Sequence, residues 1–446
     1  MTDRIPSARP TRRAFLRTAA LAGAAAGTGA LARSRPAAAA TTVRFAGWAF
    51  EPQVVEANVK RFMEQNPDVT VEYTPLDLQL YNEKMVALFN AGTQPDAYYV
   101  RDTNLGAWVE AGWVQPIDGL PGLAELDRDI FPFNLEALRY KGKQYGTPYY
   151  GDIYVYMYDR KTARKAGVDR GPVTLDQLRQ AALAVKKAGL AEYPIVKGFK
   201  TNVDGLSEFW SMVFASGGNL FDEELNPVYP DRDQTALNVL EWLVQAMHDW
   251  KILDPKGLEL DETQARDVFV NGQGVFTSNV GNVLPRANNP KLSKRAGDIA
   301  PTRFPGLTDT GKGPMGWTRL YCIDAKTRVR DAAWRLIYYM GGKDKQGTYY
   351  TAKDWYSKYG VGYAFISLDK DPDMIKVHRD AGWDLDVRSQ QYANARARTN
   401  IKAPWYNEWD RYTQQQVQNA LVKKASPRDA LAASASKARE LRKQWS

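Results

Sequence analysis

Residues 43–100, VRFAGWAFEPQVVEANVKRFMEQNPDVTVEYTPLDLQLYNEKMVALFNAGTQPDAYYV, carry two alternating rhythms. Val43–Gly47 is a short apolar run of strand type. In Gln53–Gln65 the apolar residues Val55, Val59, Phe62 and Met63 recur at helical spacing on one face, and Asn66-Pro67 ends the run. Val69–Tyr73 alternates as a second strand. Leu80–Ala91 repeats the helical stripe through Tyr81, Met85, Leu88 and Phe89, with Gly92 just past its end. Asp96–Val100 reads as a third strand. Strands separated by helices of this length need crossover connections, so the spacing predicts an α/β fold with a parallel sheet.

Further along, Thr174-Leu175-Asp176-Gln177 reads as a capping box that opens a helix to Lys187. A longer helix covers Asp233–Trp250, and Ala265–Val270 leads through Gly272-Gln273-Gly274 into a strand at Val275–Ser278. Arg330–Met340, Tyr406–Lys423 and Ser426–Gln444 are helical, the last with Pro427 at a first-turn position. No repeat of fixed period and no low-complexity linker divides the chain. That points to lobes joined by strands that cross between them.

Composition narrows the function. The chain has 446 residues and a formal charge of +9. Seven arginines against one aspartate lie in residues 1–40, leaving 53 basic and 50 acidic residues in the rest. A body that close to neutral has no global field for a nucleic-acid backbone, so nucleic acid is not an expected partner. The single cysteine, Cys322, sits in the apolar run Leu320–Ile323 and reads as a core side chain. His248 and His378 have no metal-ligand spacing, so neither a metal site nor a cofactor is expected. Gly306–Lys312 fits a phosphate-loop pattern, but Gly313 replaces the required hydroxyl residue and Pro314 blocks the helix, so it reads as a loop.

Residues 1–40 read as an export signal. Arg12-Arg13-Ala14-Phe15-Leu16 precedes a weakly apolar Ala/Gly run, and Ala37–Ala40 supplies the small residues of a cleavage site. Paired arginines followed by Phe-Leu resemble the twin-arginine translocation signal. The absence of a cysteine at the cleavage point predicts a periplasmic or secreted product without a lipid anchor. No charge-free apolar run of about 18 residues follows residue 40.

The later landmarks carry a resemblance. In order they include Asn66-Pro67-Asp68-Val69, Gln94-Pro95-Asp96, Gly112-Trp113-Val114-Gln115-Pro116-Ile117-Asp118, Tyr145-Gly146-Thr147-Pro148, Tyr158-Asp159-Arg160, Ser216–Phe221, Phe269–Phe276 and Ala332–Met340. Taken together, they resemble the family-1 extracellular solute-binding proteins of ABC importers, and most of all their carbohydrate-binding branch. The resemblance implies a periplasmic-binding-protein-like fold, two α/β lobes with a ligand cleft between them, joined by crossing hinge strands. It places the first lobe at residues 42–152 and 318–368, and the second at 153–317 and 369–446. It implies a monomeric receptor that takes a carbohydrate ligand to ABC permease subunits at the membrane, with no catalytic residues.

A sugar presents flat C–H faces and a rim of hydroxyls, so its site needs aromatic plates and planar polar groups. The candidates follow strand ends or fall at the expected crossings: Trp48, Phe50, Glu51, Arg101, Asp102, Tyr150, Asp152, Asn279, Asn282, Trp317 and Arg319. Trp48 and Trp317 are expected in opposite walls. Trp210 and Trp355 lie in helical aromatic clusters that serve equally as sugar platforms or as core. Two other readings use the acidic residues. In a secreted carbohydrate-active enzyme, Glu51, Asp102 and Asp152 would supply a carboxylate pair. In a receptor for polyamines or other cationic solutes they would be charge partners.

Overall fold

The computed structural model describes residues 40–201 and 205–445. The expected export segment with Arg12-Arg13 lies outside them. Strand β1 (Thr41–Trp48) runs parallel to both neighbours, β2 (Val69–Leu76) and β3 (Ala97–Arg101), as the two helical crossovers require. The helix Pro52–Gln65 buries Val54, Val55, Asn58, Val59 and Phe62, while Met63, expected on that face, is half-buried. The helix Tyr81–Ala91 stops at Gly92, whose φ of 67° returns its N–H to the carbonyls of Leu88 and Phe89. Only a residue without Cβ adopts that turn at little cost.

The remaining strands are the short hairpin β4 (Arg139–Tyr140) and β5 (Lys143–Gln144), the long β6 (Gly146–Asp159), then β7 (Ile195–Val196), β8 (Phe276–Val280), β9 (Ile299–Thr302) and β10 (Gly316–Ile323). The main sheet runs β2-β1-β3-β10-β6-β8-β7, with β9 also on β6. β10 pairs antiparallel with β3 through Arg319–Ile323 and with β6 along most of its length. β6 then changes partners, and its Tyr154–Asp159 half pairs with β8 and β9. These two strands carry the chain between the lobes. Where they pair, the register slips: Arg319 faces Tyr150, Leu320 faces Pro148, and Tyr149 is left without a partner. This is a β-bulge.

The buried apolar residues form two clusters. One holds the β1–β3 layer with Phe45, Tyr99 and Tyr321, and reaches Met374 and Tyr392. The other is built on Trp210, Leu240, Trp409 and Leu441. Helices Tyr406–Leu421 and Pro427–Gln444 pack on each other and on Thr235–His248 in this second core. Ser426 caps the last helix by accepting from the Asp429 N–H at 3.1 Å. Thr174 likewise accepts from Gln177 N–H at 3.1 Å, but the Gln177 side chain takes the Val173 N–H, so the expected capping box is half formed. Gly306–Lys312 is a loop held by the two-point pairing of Arg303 with Asp309.

Trp210 sits on the helix Ser207–Ala215, every residue of which is buried. Its ring lies 5.1 Å from Phe214 and 6.1 Å from Trp409, and its N–H has no partner among the described residues. Its role is packing, not a sugar platform. Trp210→Ala is therefore expected to cost roughly 3–5 kcal/mol of stability. Trp210→Phe, which gives up no hydrogen bond, costs markedly less. Urea unfolding of both variants measures this, and equal losses for Phe and Ala would contradict the packing role.

Candidate functional site

Where β6 and β10 cross, a cavity of about 440 Å³ opens between the two cores. It lies at the carboxyl ends of β1, β3 and β8, which supply Trp48, Arg101 and Val280. The crossing strands supply Tyr149, Tyr150, Asp152, Trp317 and Arg319, and the start of the helix Glu262–Val270 supplies its first turn. Phe50 and Asn282 stand at one end.

The two tryptophans come from different cores. Trp48 belongs to the first, packed edge-on against Tyr99 at 4.7 Å and Tyr81 at 5.3 Å, with the Arg101 guanidinium 5.5 Å from its ring. Trp317 belongs to the second, 5.5 Å from Tyr154. They are only 4% and 6% exposed, so each ring is both a core element and part of the cavity wall. The alternative of cleft or core posed by the sequence does not divide them.

Arg319 is oriented by Asp102, which is itself buried. One carboxylate oxygen of Asp102 accepts from the Arg319 guanidinium at 2.6 Å and from the Thr103 N–H at 3.0 Å, and the other accepts from the Thr318 N–H at 2.8 Å. Three donors on one buried carboxylate make a rigid mount, and the mounted arginine lines the cavity. On the opposite side, Glu262 accepts from the Tyr154 hydroxyl at 2.5 Å.

Asp152 is 3% exposed on β6, opposite Trp317. Burial pushes its carboxyl up to about 7, against the lowering effect of the Ile153 N–H, the Tyr392 hydroxyl and the nearby Arg388 cation. The hydrogen bonds are 2.8 and 3.0 Å. At neutral pH this group therefore stands between donor and acceptor of hydrogen bonds.

Eight of the sequence candidates line the cavity: Trp48, Phe50, Arg101, Tyr150, Asp152, Asn282, Trp317 and Arg319. Five do not. Glu51 faces the neighbouring groove, and Asp102 lies behind Arg319. Trp210 is in the second core and Trp355 in the first, stacked on Phe50 at 6.0 Å. Asn279 turns its amide to the Glu262 carbonyl at 3.0 Å. Of the three carboxylates considered for an enzymatic pair, only Asp152 reaches the cavity.

Sequence reading missed Tyr149, Asp261, Glu262 and Thr263 among others. Asp261–Gln264 forms a complete capping box, and that Asp-x-x-Gln spacing was the available sign of the helix start. Tyr149 gave no sign, because strand alternation places it opposite Tyr150 and only the bulge brings both to one cavity.

Two lobes, a cavity at strand ends and a pair of crossing strands define a binding-protein fold. A family model described as bacterial extracellular solute-binding protein matches residues 51–347, and the chain belongs to that family. It is 25% identical over 296 residues to a maltotriose-binding protein of Pyrococcus abyssi, covering 64% of this chain and 59% of that one. It is 25% identical over 281 residues to a mannitol-binding protein of Pseudomonas aeruginosa, covering 61% and 62%. The chain thus spans about three fifths of the length of these curated relatives. The solved structure of the sugar-binding protein MalE from Xanthomonas citri superposes with a TM-score of 0.77 at 20% identity, over 91% of this chain and 98% of that one.

Asp152 yields a pH prediction. Its carboxyl is raised in the folded state above its ordinary value, so the folded chain holds the proton more tightly than the unfolded chain. Its contribution to stability is complete below about pH 4 and is lost as pH rises through about 7. Asp152→Asn keeps the acceptor oxygen and removes the titration. Stability measured from pH 4 to 8 should therefore fall less steeply in this variant than in the wild type. Parallel curves would overturn the assignment.

Proposed function

We propose that the protein is the extracytoplasmic receptor of an ABC importer, which captures a sugar or oligosaccharide between two closing lobes and delivers it to a membrane permease. The observation that carries this reading is the cavity at the strand crossing, where a tryptophan from each core meets an oriented arginine and a buried carboxyl. Aromatic walls suit the C–H faces of a sugar, and the arginine fork and carboxyl suit its hydroxyls. The names of the maltotriose- and mannitol-binding relatives support the same solute class. No bond is broken in this role. The cationic-solute and enzymatic readings have less support, since the cavity carboxylates Asp152, Asp261 and Glu262 share it with Arg101 and Arg319, and the relatives are named for a neutral sugar and a polyol.

In this reading the first lobe comprises roughly residues 42–152 and 318–368 and the second 153–317 and 369–446, with the helices of residues 372–395 resting on the first core. The mature receptor is monomeric, and residues 1–40 direct its export through the twin-arginine pathway without a lipid anchor.

Two experiments test this. A bound sugar contacts both lobes and so stabilises the closed form. Small-angle scattering with saturating maltotriose, mannitol or another bound sugar should show a smaller radius of gyration. Trp317→Ala should need roughly tenfold or more ligand to reach the same compaction, because loss of a desolvated aromatic anchor costs about that much in affinity. An unchanged radius with saturating ligand would overturn the hinged receptor. For export, Arg12→Lys with Arg13→Lys should leave the precursor in the cytoplasm, and normal appearance of a mature form in that double variant would refute the pathway.

A further inference from the structure

The cavity between the tryptophans opens at one end onto a larger one. A groove of about 810 Å³ begins where the first cavity stops, and Phe50 and Asn282 line both. The junction is firmly built. Phe50 stacks on Trp355 at 6.0 Å with an interplanar angle of 16°, and Tyr359 meets its edge at 6.3 Å. The helix Tyr350–Tyr359 ends at Gly360 with a φ of 68°, and a Cβ there would come within 3.1 Å of Pro285 and 3.4 Å of Asn282. The helix end thus packs closely against Asn282, beside the passage past Phe50.

Beyond this point the lining changes character. The first cavity sets Arg101 and Arg319 against Asp152, Asp261 and Glu262. The groove has an apolar and aromatic floor that includes Tyr356, Tyr359 and Pro285, and its charged rim is mainly cationic: Arg266, Arg286, Lys291 and Lys358 against Glu51 and Asp380. Arg266 is engaged by Asp267 at 2.9 Å and Lys358 by Asp354 at 2.7 Å. Asp380 is engaged by Lys376 at 2.6 Å, and Glu51 accepts from Gln53. Arg286 and Lys291 are exposed and form no ion pair among the described residues. Two uncommitted cations over an aromatic floor, continuous with a sugar-sized cavity, match a saccharide unit that carries an anionic group. An arginine fork pairs with a carboxylate or sulfate at two points, which a hydroxyl cannot reproduce.

We infer that the solute is an anionic oligosaccharide, with one portion between Trp48 and Trp317 and a carboxylate- or sulfate-bearing unit past Phe50 in the groove faced by Arg286 and Lys291. This rests on the receptor reading above and adds ligand length and charge to it. A cavity of about 440 Å³ is already within the usual size of a small-ligand site, so a short neutral sugar leaves the groove unused.

Calorimetric titration of the purified chain with maltotriose, trigalacturonate and sulfated carrageenan oligosaccharides of similar length, at low and high salt, provides the test. An acidic probe should bind at least about tenfold more tightly than the neutral one at low salt, and the advantage should shrink as salt rises. Whether trigalacturonate or the sulfated probe shows it identifies the anionic group. Arg286→Gln with Lys291→Gln should weaken acidic-probe binding about fivefold or more. Both positions are exposed, so the melting temperature and the binding of short neutral sugars should stay as in the wild type. Equal binding of neutral and acidic probes, or an unaltered acidic affinity in the double variant, overturns the inference and leaves the receptor reading standing. If no saccharide binds at all, the receptor reading falls and this inference falls with it.

Discussion

The pairing of β6 with β10 is the constraint on which the rest depends. Gly316, Trp317 and Thr318 lie opposite Ile153, Asp152 and Gly151, so the two strands that bridge the lobes also bond to each other. Each needs glycine because the short helix Pro132–Ala137 is pressed onto them. A Cβ at Gly316 would come within 2.4 Å of Phe133, and one at Gly151 within 2.1 Å of the Asn134 amide. That amide donates to the Thr318 hydroxyl at 2.8 Å, and the Thr318 N–H donates to Asp102. Crossing, wedge and arginine mount form one connected assembly. The cavity is placed by this assembly, not by loops that could wander.

Behind Asp152 lies a polar network built on Arg388, Asp369, Tyr363 and His378. Arg388 stacks 3.9 Å above the Tyr392 ring and donates to Asp369 at 3.0 Å. The Tyr363 hydroxyl donates to Asp369 at 2.6 Å, so it must accept from Nε2–H of His378, also at 2.6 Å. The histidine Nδ1 is then free to accept from the Tyr356 hydroxyl at 2.7 Å. Each hydroxyl has a single proton, so these assignments fix the tautomer. Burial and the nearby Arg388 charge push His378 down to about 2, and the ring stays neutral throughout the physiological range. The network thus gives Tyr392 a fixed direction in which to donate to the cavity carboxyl.

The sequence revealed the periodic parts well. β1 to β3 and their helices followed from apolar spacing, and the last helix from Ser426-Pro427, because local patterning and tertiary burial agree there. The site was legible where a strand end or a crossing coincided with an aromatic or charged residue, as at Trp48, Arg101 and Trp317. It was illegible where burial depends on distant chain. Trp210 and Trp355 look like platforms until helices from elsewhere cover them, and Asp102 looks like a ligand contact until Arg319, 217 residues away, claims it. Nothing within a few residues of any of these positions encodes that outcome.

The bulge at Tyr149 has a consequence for how this chain can vary. Connections between structural units ordinarily absorb insertions and deletions with ease. Here the connection is a strand in which every residue from Ile153 to Asp159 is buried, and the stretch before the bulge, Gly146–Tyr149, is buried as well. Removing the unpaired residue would force one of these flanks to slide by one position and turn its side chains to the opposite face. Neither flank has a solvent face on which to accommodate the change. The hinge is therefore the part of the molecule least able to change its length, and diversification by gain or loss of residues is channelled to the rims of the cleft.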